Sequence, residues 1–472
     1  MKWMIPGWLA VLFFAGNRVA GAAELPPARP NVIFLFADDQ RADTIAALGN
    51  PVIQTPNLDR LCHQGVALTR AYMQGGFNGA TCVPSRAMLL SGQSLFHIDE
   101  KLQRDETWPA AFRHAGYSTF ATGKWHNGAA SLPLCFQFAR GVFVGGMATN
   151  PLSAFVQDLK KGKLSKPRLA HEHLCAVAAD EAIRFLREHK KGPFFCYVAF
   201  DAPHDPHIVP ADFPVTYDPA KMPLPPNFLP QHPFDNGEMS IRDELLLAHP
   251  RPPDAVRQMN ADYYRYITYL DAQIGRILDA LAASPFATNT IVVFSADSGV
   301  ARGSHGLIGK QNLYEYDSVR VPLIIAGPGV PAGKTSEAMC YLYDVLPTLG
   351  AMCGVPSPPK SEGLDLSRVL REAGQKGRSS LVFAYQNVQR ALATRDWKLI
   401  RYPKANQTQL FNLQDDPYEI HDLAGHSEYS ARVAELTERL KVELAAAGDR
   451  EPQPDAADSV TTPPVSHAAI HP

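Results

Sequence analysis

The chain has 472 residues, of which 46% are hydrophobic and 19% charged, and its formal net charge is −2. That content can bury one large core with a subdomain and excludes general disorder. The near-zero charge supplies no basic field for nucleic acid or an anionic membrane, so an anion has to be recognised by a few placed cations.

Lys2, an apolar stretch from Met4 to Ala15 and small residues from Ala20 to Ala23 predict a signal peptide over 1–22, with an Ala20, Gly21, Ala22 cleavage site. The stretch is shorter than the roughly 20 residues of a spanning helix, and no later one is long enough. The expectation is an exported protein, periplasmic or secreted, without stable membrane association.

Apolar, β-rich runs at 31–37, 118–122, 194–200, 290–296 and 321–326 alternate with helical patterns such as Tyr263, Ile267, Leu270, Ile274 and Ile277. This predicts an α/β domain over 23–374, with a mainly parallel central sheet and helices on both faces. Ligands of such sheets collect at the carboxyl ends of the strands. Four of the five runs deliver polar groups there: Asp38 and Asp39, Lys124 and His126, His204, and Asp297.

Pro-rich loops follow at about 208–233, expected to fold over the surface near the site, and around 356–360, ahead of a subdomain boundary. Past 374 the pattern changes. Short antiparallel strands are predicted at 381–385, 391–394, 398–402 and 409–412, then a helix capped by Ser427 with Val433, Leu436, Leu440 and Leu444 on one face. Residues 375–448 thus read as a small C-terminal subdomain of antiparallel sheet and helix. The tail 449–472, rich in Pro, Ala and Asp, reads as disordered.

Seven cysteines form no CxxC pair, which argues against zinc or thioredoxin-like chemistry. The six besides Cys82 are able to pair in an exported protein, although Cys196, inside PFFCYVAF, reads as a buried apolar residue. Asp38, Asp39 and Asp297 supply three carboxylates, a set that suits a hard divalent cation bound through oxygen.

Cys82, Val83, Pro84, Ser85 and Arg86, followed by Ala87 to Gly92, form a segment that resembles the signature of the formylglycine-dependent sulfatases of the alkaline-phosphatase-like superfamily. The likeness runs from Asn31 to about Gly425 and includes NVIFLFADDQ at 31–40, GKWH at 123–126, APHDP at 202–206, FSADSG at 294–299 and GSHGLIGK at 303–310. The resemblance implies that a maturation enzyme oxidises Cys82 to an aldehyde whose hydrate attacks sulfur. It implies Ca²⁺, with Mg²⁺ second, held by Asp38, Asp39, Cys82, Asp297 and Ser298. Ser298 departs from the pattern, which usually has Asn or His there.

By the same resemblance Arg86 steadies the aldehyde hydrate, Lys124 and Lys310 meet the sulfate oxygens, His126 takes a proton when sulfate is eliminated, and His204 protonates the leaving alcohol. A lone histidine is ordinarily a structural residue; the GKWH and APHDP contexts move these two towards catalysis. The implied substrate is a sulfated saccharide or another small sulfate ester. Two other readings stand beside it: a phosphonate monoester or phosphodiester hydrolase of the same fold, and a binding protein whose catalysis is impaired at Ser298. His305 is placed to shape the Lys310 loop. His207, Arg302 and the Gly-rich segment from Gln74 to Gly79 are candidate readers of the substrate beyond sulfate.

Overall fold

The computed structural model describes residues 29–372 and 374–449. The signal-peptide segment and all but the first residue of the predicted tail lie outside them. Asn31–Ala37 is buried at every position, and its side chains alternate between two cores. Val32, Phe34 and Phe36 enter one, and Ile33, Leu35 and Ala37 the other. A strand buried on both faces reads as a continuous apolar run, and each fully buried large side chain contributes about 1.5–3 kcal/mol.

The strand lies mid-sheet, between Thr290–Ala296 and Phe194–Ala199, both parallel to it. Ser118–Trp125 and Phe138–Val144 extend the parallel run beyond Phe194–Ala199. Helices cover both sides. Leu89, Leu90, Trp108, Phe112, Leu346 and Leu349 pack on one face. Ile183 and Leu186 from Leu174–Glu188 pack on the other, with Leu270, Ile274 and Ile277 from Pro253–Ala282.

The run at 321–326 is not one strand. Pro322 lacks the N–H a ladder requires, and the chain divides there. Arg320–Val321 joins a three-stranded sheet, while Leu323–Ala326 pairs antiparallel with Thr290–Ala296. The sheet stays mainly parallel where the polar groups leave it.

The C-terminal strands Ser380–Tyr385, Gln389–Thr394, Trp397–Tyr402 and Gln407–Asn412 form an antiparallel meander. Its fifth member comes from far upstream: Gly75–Gly76 pairs parallel with Ser380–Tyr385. A Cβ on Gly75 would stand 1.9 Å from the Ala384 carbonyl oxygen, so this contact requires glycine. Helix Ser430–Ala447 lays Leu436, Leu440 and Leu444 on this sheet, with Val433 at the margin. Ser427 is not its cap: a 3₁₀ turn, Ser427–Tyr429, precedes the helix, leaving that hydroxyl three residues short of the first helical amide.

All seven cysteines are free and buried, so the six that are able to pair do not do so in this structure. Cys62, Cys175 and Cys196 serve one core as small apolar residues, and Cys135, Cys340 and Cys353 the other. Among the described residues no helix is long and apolar enough to cross a membrane.

Candidate active site

Ala37 and Ala296 are register partners on adjacent strands, so the residues after them, Asp38 and Asp297, emerge side by side. Asp39 then turns into left-handed backbone, φ 66°, which aspartate tolerates better than most residues. Its amide donates to Asp297 Oδ1 at 3.0 Å, and the Tyr263 hydroxyl donates to its carbonyl at 2.6 Å. Two strands over, Gly123 at φ +84° borders a register shift against Phe138–Val144, just ahead of Lys124. A Cβ at Gly123 would lie 1.8 Å from the Ala199 carbonyl oxygen.

Cys82 opens a ten-residue helix, Cys82–Ser91, wedged between the main core and the core beneath the C-terminal sheet. Arg86, one turn on, donates from Nε to Asp297 Oδ2 at 2.8 Å and keeps its guanidinium 3.7 Å from Asp38 Oδ1. The Phe36 ring supports it at 5.1 Å. Ligand atoms of Asp38, Asp39, Cys82 and Asp297 all fall within 4.8 Å of one another.

Two lysines meet this cluster. Lys124 pairs directly with Asp38. Lys310 donates to both Asp39 oxygens at 2.7 and 2.6 Å and stands 2.9 Å from Cys82 Sγ. Burial raises the Asp38 carboxyl, yet Lys124, Arg86, His204 and Lys310 outweigh it and hold the group well below the usual carboxylate range. Burial lowers Lys310, and Asp39 with Cys82 overcomes that, leaving the ammonium well above its ordinary value. The Cys82 thiol is pushed well up by burial and by Asp38, despite Lys310.

His204 Nε2 lies 3.6 Å from Asp39 Oδ2, and its Nδ1 bonds the Asp205 carbonyl at 2.8 Å. Burial, helped by Lys124, drops His126 to about 3, and its buried Nδ1 has no hydrogen-bond partner among the described residues. The predicted residues Asp38, Asp39, Cys82, Arg86, Lys124, His126, His204, Asp297, Ser298 and Lys310 are therefore brought to one end of the sheet.

The carboxylates fit a hard cation. Three of them converge, and Asp38 Oδ1 is buried with no hydrogen-bond donor among the described residues. Ser298 reaches the cluster differently from a carbonyl ligand: its hydroxyl donates to Asp39 Oδ1 at 2.8 Å.

Other sequence candidates are drawn into the framework. Arg302 stacks on Tyr263 at 4.2 Å and bonds Asn260 and the Met259 carbonyl, so its guanidinium is committed inward. His207 contacts Arg302 at 3.3 Å. His305 stacks on Tyr314 at 3.7 Å and bonds Asn227 at 3.0 Å, shaping the loop that leads to Lys310. The glycines at 75 and 76 serve the strand pairing described above.

Sequence reading missed Ser85, whose hydroxyl bonds the Asp297 carbonyl at 2.6 Å, and Glu244, which accepts the Ile308 and Gly309 amides at 2.9–3.1 Å. Ser85 stood in the signature segment. Glu244 sits in an irregular stretch and carried no local signal.

Fold and site together define a mixed α/β protein with a carboxylate cluster facing buried lysines around one cysteine. The sulfatase family model matches residues 30–355, and that of the N-sulphoglucosamine sulphohydrolase C-terminal region matches 303–446. The chain belongs to the sulfatase family, hydrolases of sulfuric esters. That membership implies a formylglycine-type mechanism with a divalent metal.

The chain is 26% identical to an N-acetylglucosamine-6-O-sulfatase of Bacteroides thetaiotaomicron, over 88% of this chain and 86% of that protein. It is 28% identical to an ulvan-active sulfatase of Formosa agariphila, over 90% and 82%. A solved structure of a protein with its substrate D-glucosamine-2-N,6-O-disulfate superposes with a TM-score of 0.73 at 23% identity, covering 90% of this chain and 99% of that one. The phosphonate monoester hydrolase of Agrobacterium radiobacter shares the fold with a TM-score of 0.71 at 21% identity, over 89% and 96%.

Proposed function

We propose that this protein is an exported sulfatase, periplasmic or secreted, that removes sulfate from a carbohydrate ester. Cys82, converted to formylglycine by a maturation enzyme, is its nucleophile, and Ca²⁺ its metal, with Mg²⁺ second. The observation that carries the reading is the meeting of Cys82, three carboxylates and two lysines at one end of the sheet. The sulfated-sugar activities named for the Bacteroides and Formosa relatives support the substrate class.

A sulfate ester repels nucleophiles and has a poor leaving group, so charge neutralisation and proton delivery are required. The cation, held by Asp38, Asp39 and Asp297, would supply a Lewis acid beside the aldehyde hydrate of residue 82. Lys124 and Lys310, both buried, present ammonium groups for sulfate oxygens where water screens them little. Arg86 holds Asp297 and faces Asp38, fixing the carboxylates.

His204 donates Nδ1–H to the Asp205 carbonyl, which leaves Nε2 to carry the proton for the leaving oxygen when the ring is charged. Burial and Lys124 depress the His126 imidazole, which favours the neutral ring a proton acceptor requires. Ser298 supports Asp39 through its hydroxyl in this reading, and the sequence carries every other catalytic residue type of the resemblance, which disfavours an impaired binding protein.

The shared fold makes a phosphonate monoester or phosphodiester hydrolase the alternative. Parallel turnover assays on sulfated monosaccharides, aryl sulfate, a phosphate diester and a phosphonate monoester decide between them. The proposal expects the highest kcat/KM on a sulfated sugar; a higher value on the phosphorus esters overturns it.

A further inference from the structure

Arg242, Asp243 and Glu244 are consecutive, yet each grips a different loop of the site. Glu244 holds the amides just ahead of Lys310. Asp243 Oδ2 accepts from Gln311 Nε2 at 2.8 Å, and the same nitrogen donates to the Gly79 carbonyl at 2.9 Å, close before Cys82. Arg242 bonds both carboxylate oxygens of Asp205, Nη1 to Oδ1 at 2.9 Å and Nη2 to Oδ2, and Nη1 also reaches Asp243 at 3.0 Å. Asp205 Oδ1 in turn lies 3.3 Å from His204 Nδ1.

Exposure separates these residues from the groups assigned to sulfate. The Arg242 side chain is 48% exposed and those of Asp205 and Asp243 are 20% and 17%, against 0% for Lys124 and 4% for Lys310. Arg242, Asp205 and Asp243 therefore stand at the outer edge of the site. Two small crevices meet here, one lined by Asp38, Met147, His204 and Asp205 and the other by Asp39, Asp205 and Asp243; Asp205 borders both, and Arg242 lines neither but stands exposed beside them.

The remaining contact of Arg242 Nη2 is Met147 Sδ at 3.2 Å. A thioether is a weak acceptor, so that N–H is readily given to a better one. A donor flanked by two carboxylate acceptors matches vicinal hydroxyls, which both donate and accept. One guanidinium and two carboxylates sum to −1, which opposes a further anion at this place.

Resting on the carbohydrate-sulfatase reading, we infer that Asp205, Arg242 and Asp243 form a subsite that reads the hydroxyls of the sugar ring beside the sulfated position. The subsite selects an uncharged ring there over one bearing a second anionic group.

The test is calorimetric binding to the Cys82→Ala protein, which needs no turnover. The ligands are monosulfated N-acetylglucosamine, monosulfated galactose, a sulfated hexuronate and 4-nitrophenyl sulfate. At least one neutral sugar should bind about tenfold more tightly than the hexuronate. Adding Arg242→Gln should weaken that sugar about tenfold or more, the scale of one charged hydrogen bond, while shifting 4-nitrophenyl sulfate less than about threefold.

Equal weakening of sugar and aryl sulfate means the residues act through the loops alone and overturns the inference. Tighter hexuronate binding, or no binding by either neutral sugar, also overturns it. A wild-type enzyme inert on every sulfate ester, with these binding differences intact, instead counts against the sulfatase reading.

Discussion

Lys310 Nζ stands 2.9 Å from Cys82 Sγ while donating to both carboxylate oxygens of Asp39. One ammonium thereby links Cys82 to a carboxylate of the cluster, across 228 residues of sequence. Lys310→Met removes that link and, with it, the buried charge proposed to meet sulfate. We expect kcat/KM to fall by about 10²- to 10³-fold, the range for losing one preorganised electrostatic partner. Steady-state rates on the best substrate check this, and a loss below about threefold rejects the assignment.

Cys82→Ala should abolish turnover, by more than about 10³-fold, and leave the fold intact. Cys82 is buried, but the change deletes a single atom, so the expected stability loss is about 1 kcal/mol or less. Rates and a thermal melt are read on the same preparation. Retained activity would remove the residue from the nucleophile role.

Metal dependence follows from the carboxylate cluster. Dialysis against a chelator should lower activity at least about tenfold, and Ca²⁺ should restore it better than Mg²⁺, because clustered carboxylates without imposed octahedral order suit the larger ion. Full activity after verified metal removal contradicts the proposal.

Ser298 Oγ donates to Asp39 Oδ1 at 2.8 Å, so it steadies a carboxylate of the cluster. Asparagine at this position carries a longer arm ending in a carbonyl oxygen suited to Ca²⁺. Ser298→Asn is expected to tighten Ca²⁺ binding about threefold or more by calorimetry. Unchanged or weaker affinity means that the serine is already an adequate element of the site.

Gly123 combines φ +84° with a carbonyl oxygen 1.8 Å from where a Cβ would sit. Gly123→Ala forces the Ala199 backbone aside or unwinds the bulge that aims Lys124. The expected loss is about 2 kcal/mol or more in denaturant unfolding, with turnover reduced as well. An unchanged midpoint would show that the bulge relaxes without strain.

Much of this site was legible before any coordinates, because strand ends are visible in sequence. The run Asn31 to Ala37 stops at Asp38, and Thr290 to Ala296 stops at Asp297, so the pairing of the two strands brings the carboxylates together without further assumption. The C-terminal meander was legible for the same reason: its short, largely apolar strands are separated by turn residues.

What failed was local chemistry settled by distant partners. Pro322 split a run that periodicity read as one strand, and the hydroxyl of Ser427 fell before a 3₁₀ turn. Arg302 looked like a substrate reader beside the late aspartate, but Tyr263 and Asn260, from a helix about 40 residues earlier, hold it inward. Arg242 and Glu244 were invisible because the stretch around them has no period. Their roles exist only through Asp205, Ile308 and Gly309.

On the proposed reading the working nucleophile is a hydroxyl of the hydrate of an aldehyde made from Cys82. The most direct test of that reading is the mass of the Cys82-containing peptide, measured across enzyme fractions of known specific activity. Conversion of thiol to aldehyde lowers the mass by about 18 Da, the loss of two hydrogens with sulfur exchanged for oxygen. The account predicts that turnover rises in proportion to the converted fraction; a fully active preparation whose peptide retains the unmodified thiol contradicts it.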